Sequence, residues 1–425
     1  MTKPSVPITE RRYILPLILV TSLFFLWAFG VNLNDILIPH LKKGFHLSDF
    51  RSSLIQTAFF GGYFLAALPA GWLMEKIGYK RGILVGLLTC ATGALLFIPA
   101  ASVRLYGFFL FALFIMACGQ GVLEVAANPY VTILGPPESS ERRLNLAQSF
   151  NSVGAVVTPI VGAAFILSGV EYSRGQLSAM TPAQLQAYEI AEANTVRGPY
   201  LVIAGLFLAV AALIFFSQLP EVREEDGDEA TPNAAAGLRG LWPYKHLLKG
   251  VLAQFFYVGA QVGVASFVIR FAQYSMPGLP EKQAANYLKL HLLGFMIGRF
   301  VGSAIMKRIA PSRLLSLFGM SSLICLSIVL LGFFHSIMFP TIFALSLKHL
   351  GPHTKLGSSL LVMSIIGGAV FPAIMGYISD MSSIRFAFWV PFLCHLYVLY
   401  FAARGYRPSL DLPKEAGLQR IPVEN

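Results

Sequence analysis

Residues 105–137 read LYGFFLFALFIMACGQGVLEVAANPYVTILGPP, and Glu124 is the one charged side chain among them. A helix needs roughly 20 apolar residues to cross about 30 Å of hydrocarbon, so this stretch reads as a membrane-spanning helix with an acid inside it. Charge-free windows of the same kind precede it at 13–34, 52–74 and 82–103 and follow it at 144–170 and 198–220. A second set occupies 250–269, 286–306 (interrupted by Lys289 and Arg299), 314–347, 356–379 and 386–403. Between the sets, 221–249 carries Glu224, Glu225, Asp226, Asp228 and Glu229 among Pro, Ala and Gly, the composition of a flexible linker. The expected architecture is all-α and multi-pass: a six-helix bundle over 1–220, a cytoplasmic linker over 221–249, and a second bundle with a basic tail over 250–425.

Bulk composition agrees. Of 425 residues, 56% are hydrophobic and 12% charged, about half the charged share of a soluble domain, which excludes a water-soluble globular enzyme. The net charge of +11 comes from 32 Lys and Arg against 21 Asp and Glu, and in a soluble protein it would raise the question of nucleic acid. Position accounts for it instead. If 314–347 crosses twice, 21 of the cations fall on the side of the N-terminus, 10 on the other and Arg299 within a span. That bias places both termini in the cytoplasm. The partner is therefore the lipid bilayer rather than nucleic acid, and a monomer is expected. The first apolar run is too long for a removable leader and lacks its small-residue cleavage pattern. Cys90, Cys118, Cys325 and Cys394 lie inside apolar runs without ligand-like spacing and read as filler, so neither a metal nor a bound cofactor is expected.

An internal repeat links the two sets. Gly71-Trp-Leu-Met-Glu-Lys76, followed by Lys80 and Arg81, matches Gly302-Ser-Ala-Ile-Met-Lys307, followed by Arg308 and Arg313. Asn151, Gly154, Pro159 and Gly162 match Ser364, Gly367, Pro372 and Gly376. The pairing relates span 2 to span 8 and span 5 to span 11. One stretch is short: Lys76 to Gly135 is 59 residues, whereas Lys307 to Gly351 is 44. As a single helix 314–347 would be about 51 Å long, and two crossings need more than that plus a turn. An odd number of crossings would put the basic tail, with Arg404, Arg407, Lys414 and Arg420, on the wrong side. The expectation is two compressed helices turning near Gly332 to His335; the alternative is that one of them does not properly span.

Of the 21 acids, only Asp35 and Glu124 lie deep in apolar windows. An ionised carboxylate there costs several kcal/mol unless it is paired or wetted, so the neutral acid is favoured. A carboxyl that exchanges protons inside a membrane cavity is what proton coupling requires. The plainer readings are a polar helix end for Asp35, with His40 and Lys42 close behind, and a structural hydrogen bond for Glu124. Amides collect around these acids at helical spacing. Asn32 is three residues before Asp35, Asn128 four after Glu124, Gln148 and Asn151 three apart, and Gln254 and Gln261 seven apart, each pair sharing one helix face. Amides and carboxyls suit polyol hydroxyls, and Trp27, Tyr257 and Phe339 can stack on the apolar face of a sugar ring. Taken singly, such polar residues also serve as glue between helices.

Gly71, Lys76, Lys80, Arg81 and Arg299 read as a charge-and-backbone latch between helices at the cytoplasmic face, or else as plain positive-inside anchors. Arg142 and Arg143 invite the same two readings. His291, His335 and His395 have no acid at helical spacing and read as packed or interfacial.

Longer strings then carry a resemblance. LWAFGVNLNDILIP at 26–39, LEVAANP at 123–129, RLNLAQSFNS at 143–152, AQFFYVGAQ at 253–261 and FPTIF at 339–343 resemble the fucose-proton symporter family. That family is the branch of the major facilitator superfamily that also holds bacterial glucose/galactose transporters. The resemblance implies twelve helices in two six-helix domains, with helices 9 and 10 shortened here. It implies import of a hexose or 6-deoxyhexose across the bacterial inner membrane, driven by a co-transported proton. Residue by residue, it places the proton-handling aspartate on Asp35. The second essential acid, which couples protonation to sugar contact, falls on Glu124, and the sugar-contacting amide falls on Asn151 with Gln148 beside it. Where the fucose branch has a further Asn, a Trp and a Tyr, this chain has Val31, Ala265 and Phe339. Those departures count against L-fucose itself, and Phe339-Pro340 with Gly135-Pro136-Pro137 resembles the glucose/galactose branch more than the fucose one. Sodium-coupled or uncoupled carriage, and a non-transporting paralogue, remain alternatives at this level.

Overall fold

The computed structural model describes residues 6–45, 49–166, 180–220, 234–324 and 328–408, the side chains of 33–44, 49–53, 56, 159–166, 189, 191–193, 234–236, 281–282, 324 and 328 being outside that description. The first half contains α1 Ile14–Gly44, α2 Asp49–Val103, α3 Tyr106–Ile133, α4 Ser140–Ile166, α5 Pro182–Thr195 and α6 Arg197–Phe216. The second half contains α7 Lys245–Ser275, α8 Glu281–Ile305, α9 Pro311–Ile324, α10 Ile328–His335, α11 Met338–Leu347, α12 Thr354–Met363, α13 Gly367–Met381 and, after a short helical turn, α14 Trp389–Tyr400. Among the described residues, nine helical windows are long and apolar enough to cross a membrane. One of them, Thr57–Val103, is 47 residues long and holds two crossings. It breaks at Gly78, whose φ of 78° and ψ of 174° suit a residue without a Cβ.

Contacts among the connections sort them onto two faces. On one face Thr9 Oγ1 donates to Leu134 O (2.6 Å), Tyr130 OH to Pro220 O (2.8 Å) and Ser303 Oγ to Arg142 O (3.3 Å), and Tyr406 hydrogen-bonds Ser312. On the other, the Phe45 and Tyr106 rings lie 6.0 Å apart, Arg197 Nη2 donates to Ser102 Oγ (2.6 Å), and Arg385 sits 5.4 Å over the Tyr274 ring. Both ends of the described chain lie on the first, here named the terminal face. The number of crossings is therefore even, as the charge distribution predicts.

The short stretch behaves as two crossings, but it turns elsewhere than the sequence suggests. Ser312 and Lys348 both belong to the terminal face, where Lys348 pairs with Glu141, so the chain between them must leave that face and return. α9 accounts for 14 residues, about 21 Å of helix. α10 and α11 together form the return, Val329–Leu347, with a turn at 336–337 inside it. The expected reversal at Gly332 to His335 is corrected: α10 is helical through those residues, and α9 ends at Ile324. Gly332 instead lets α10 lie on α8, because a Cβ there would run into the carbonyl of His291.

Small residues decide this packing. Gly294, Gly298 and Gly302 recur every four residues on α8 and face α10 and the turn after it, and a Cβ on Gly298 would meet Phe333 O and Ser336. Without water to drive helices together, close backbone approach supplies the contact energy. The repeat is visible in the same terms. Gly154 on α4 abuts Phe25 O on α1, and its counterpart Gly367 on α13 abuts Phe255 O on α7. The linker is shorter than composition suggests, since a 3₁₀ segment at Ala234–Leu241 and the start of α7 at Lys245 occupy its second part. Residues 221–233, Cys325 and the tail beyond 408 lie outside the description.

Gly298→Leu is expected to overpack the α8 and α10 contact and cost about 1–3 kcal/mol or more, read as a lower unfolding temperature of the detergent-purified protein. Gly205→Leu, where nothing lies within 4 Å of the added Cβ, should leave that temperature unchanged; equal effects would refute the packing account.

Candidate functional site

The second half of α3 is buried from Gly119 to Val131, which carries Glu124 into the interior at 3% exposure, with Gln120 and Asn128 fully buried on the same face. Asn128 Nδ2 donates to Glu124 Oε1 (3.5 Å), and Asn128 Oδ1 accepts from Gln148 Nε2 on α4 (2.9 Å). One turn away Trp27 Nε1 donates to Tyr63 OH (2.6 Å), which donates to Gln120 Oε1 (3.2 Å). Asn151 Nδ2 donates to Phe24 O (3.1 Å) and Asn32 Nδ2 to Ala28 O (2.7 Å); both residues are half-buried. Of the predicted set, Glu124, Asn128 and Gln148 come together across α3 and α4, whereas Asn151 bonds α1 and Asn32 bonds its own helix. Asp35 lies further along α1, and its side chain is outside the described residues. Tyr63 and Gln120, which extend the network, were not singled out from the sequence. The spacing of Gln120 and Glu124, four residues apart on α3, was the available signal.

Two prolines shape how the halves meet. Proline has no amide, so the carbonyl four residues before it loses its helical donor. Pro129 frees Val125 O, which accepts from Ser358 Oγ of α12 (3.0 Å), a bond between the two bundles. Pro340 likewise frees Ser336 O, which accepts from Arg299 Nε (3.0 Å). Arg299 is 4% exposed, lies 4.7 Å over the Phe295 ring, and donates through Nη1 to Gln148 O of the other bundle. Arg299 is therefore not a terminal-face anchor but a mid-span cation held by carbonyls beside the buried acid.

The C-terminal wall is aromatic. Tyr257 OH donates to His335 O (2.9 Å), its ring lies 6.5 Å from that of Phe339, and Phe339 and Phe343 are near-parallel at 6.0 Å and 21°. Gln254 is fully buried, and among the described residues neither polar atom of its amide has a protein partner, although buried amides are normally satisfied. Gln261 is half-buried two turns further on.

The latch expected at 71–81 is corrected in its members. Lys80 Nζ donates to Phe215 O (3.0 Å) and Ser217 O (2.7 Å), capping α6 within its own bundle as a cation suits a helix C-terminus. Lys76 and Arg81 are exposed. Gly71 does meet the other bundle, against Ser359 and the Lys355 carbonyl. The charged seam is made by residues the sequence did not single out: Lys348 pairs with buried Glu141, Lys355 sits 5.4 Å over Tyr79, and Asn145 Nδ2 donates to Thr341 Oγ1 (3.1 Å). Arg143 is wholly buried within the N-terminal bundle. It donates to Val131 O (2.6 Å), Ile8 O (2.7 Å), Ser139 Oγ (2.9 Å) and the carbonyl of Thr132. It clamps the start of α4 to the chain's first residues. Among the described residues no three His, Cys, Asp or Glu side chains are grouped to hold a metal.

The Major Facilitator Superfamily profile matches residues 20–328. The chain belongs to that superfamily. It is 43% identical to the L-fucose-proton symporter of Escherichia coli over 409 residues, covering 92% of this chain and 93% of that one. It is likewise 43% identical to a glucose/galactose transporter of Brucella abortus over 411 residues, covering 93% and 95%. The crystal structure of the E. coli fucose transporter in its outward conformation superposes with a TM-score of 0.86 at 43% identity, covering 93% of this chain and 99% of that one. The chain is thus a multi-pass membrane transporter of the major facilitator fold, and its short 9–10 region sits inside that fold.

Lys348→Ala leaves Glu141 buried without its cation, at an expected cost of about 1–3 kcal/mol to the sealed arrangement, Lys348 being partly exposed. A lower unfolding temperature should follow, partly restored in the exchanged pair Glu141→Lys with Lys348→Glu. No recovery in the exchanged pair would refute the ion pair as a seam element.

Proposed function

We propose that this protein is a proton-coupled symporter that carries a monosaccharide, a hexose or 6-deoxyhexose, into the cell. The observation that carries the reading is Glu124. It is a carboxyl sealed at membrane depth, hydrogen-bonded by Asn128 and faced across the seam by Arg299 of the other bundle. The fucose-proton and glucose/galactose relatives support the substrate class. With the terminal face cytoplasmic, as the cation bias favours, the described contacts close that side and the arrangement faces outward.

In this reading the sugar bridges the amides of Asn128, Gln148 and Asn151 to those of Gln254 and Gln261, and its apolar face lies on Trp27, Tyr257 and Phe339. Differential binding between states moves a carrier. An ionised Glu124 holds Arg299 by charge, whereas a proton on Glu124 removes that attraction and the cost of carrying a carboxylate through an occluded state. Asp35 takes the first proton from outside. Once Arg299 is released from Gln148 O, and Lys348 and Ser358 from their partners in the other bundle, the bundles can rock and open the cytoplasmic side. Phe339 offers the sugar no hydroxyl, which suits the glucose/galactose side of the family.

Sugar added to a lightly buffered suspension of cells expressing the protein should evoke proton uptake. Glu124→Gln keeps the shape but cannot bind the proton, and should abolish both that uptake and accumulation while sparing exchange of labelled for unlabelled sugar. Asp35→Asn should behave alike. Undiminished accumulation in both variants, or uptake that follows sodium instead, would overturn the coupling.

A further inference from the structure

The C-terminal bundle holds a second set of titratable groups that the symport reading does not use. His335 on α10 and His395 on α14 are 0% and 2% exposed, and their Nε2 atoms are 2.8 Å apart. The ring planes differ by 13° and the centroids are 4.8 Å apart, farther than the nitrogens, so the rings meet edge to edge through an N–H···N bond. His395 Nδ1 lies 2.5 Å from Pro391 O. A carbonyl only accepts, so Nδ1 carries a proton and a neutral His395 offers Nε2 as acceptor. His335 Nε2–H is then the donor, and His335 Nδ1 is left with a buried lone pair and no protein partner.

What surrounds the pair decides its charge. α8 presents His291, ring centroid 6.1 Å from that of His335, and Arg299, which grips the next carbonyl in the chain, Ser336 O. α7 presents Tyr257, bonded to His335 O, and α9 presents Phe318 against Phe333 and Phe334. Among the described residues no acid faces the pair. A further proton would create an imidazolium in a dry site beside a guanidinium, without a counter-ion, which is strongly unfavourable. At the end of α10 the carbonyls of His335 and Ser336 are engaged by Tyr257 and Arg299, one on the aromatic wall and one on the seam.

We propose that His335 and His395 are positioning residues that, as a neutral pair, tie the turn in span 10 to α14 and so hold Tyr257, Phe339 and Arg299 in the sugar-competent arrangement. Protonation parts the pair. This rests on the reading of the cavity as a sugar site, and it adds an acid-side control distinct from Glu124 and Asp35. The neutral pair stabilises the described arrangement above the ordinary imidazole range, near pH 6.5, and that support is lost as pH falls below it, by up to about tenfold in the equilibrium per pH unit for one proton.

The test is labelled-sugar exchange and sugar affinity in proteoliposomes with equal pH on both sides, from pH 5 to 8, which needs no proton gradient. The wild type should lose affinity several-fold or more between pH 6.5 and 5.5. His395→Phe, and His395→Asn, which keeps a donor toward Pro391 O but lacks the ring nitrogen, should flatten that acid limb. Thermal unfolding across the same pH range reads the pair without sugar, and the variants should lose the wild type's acid-side drop. Acid limbs unchanged in both readouts would overturn the proposal. Failure of the symport reading looks different, because sugar would then evoke no proton uptake in the wild type while the exchange profile still responded to His395.

Discussion

A full positive charge at Arg299 sits where both water and lipid are excluded, and much of the molecule's centre is arranged around that constraint. An isolated guanidinium in such a place is prohibitively costly, and here no single carboxylate neutralises it. Ser336 O and Gln148 O accept from it, and the Phe295 ring lies beneath it. Those partners come from both bundles, so the guanidinium is itself a contact that joins them.

The carbonyls available for this purpose arise from proline. In a membrane a helix must satisfy its own backbone, so a missing amide is conspicuous. Pro129 and Pro340 each leave one carbonyl without its helical donor, and each orphan is met by a side chain, Ser358 Oγ for Val125 O and Arg299 Nε for Ser336 O. The breaks fall in the spans that carry Glu124 and Phe339. Polar reach into the interior is obtained without exposing backbone to lipid.

Glycine supplies the complementary device. The α8 stripe of Gly294, Gly298 and Gly302 lets α10 approach closely, and this compact pairing absorbs the short 9–10 region without losing a crossing. The cross-bundle contacts mix apolar and polar ones: Gly71 against Ser359 and Phe150 against Phe300, beside Glu141 with Lys348, Lys355 over Tyr79, and Ser358 with Val125 O. The polar pairs can exchange partners, whereas the glycine-lined contact of α8 with α10 cannot part without leaving backbone unpacked.

The spans, their even number, the parallel repeat and the depth of Glu124 were legible in the sequence, because lipid requires each crossing to be apolar and makes any exception visible. The amides of Asn128 and Gln148 were legible as well, since helical spacing alone puts Asn128 on the face of Glu124. Which cation joins the bundles was not: Lys80 caps α6 in its own half, while Lys348, unremarkable in the chain, reaches Glu141. Nor was the end of α9 at Ile324, the grip of Arg299 on Ser336 O, or the meeting of His335 with His395. Spacing along a helix tells which residues share its face but not which distant helix that face will meet. Those partners were decided by tertiary packing, where backbone approach at glycines and the need to satisfy every buried donor, acceptor and charge select one pairing among many that the sequence allows.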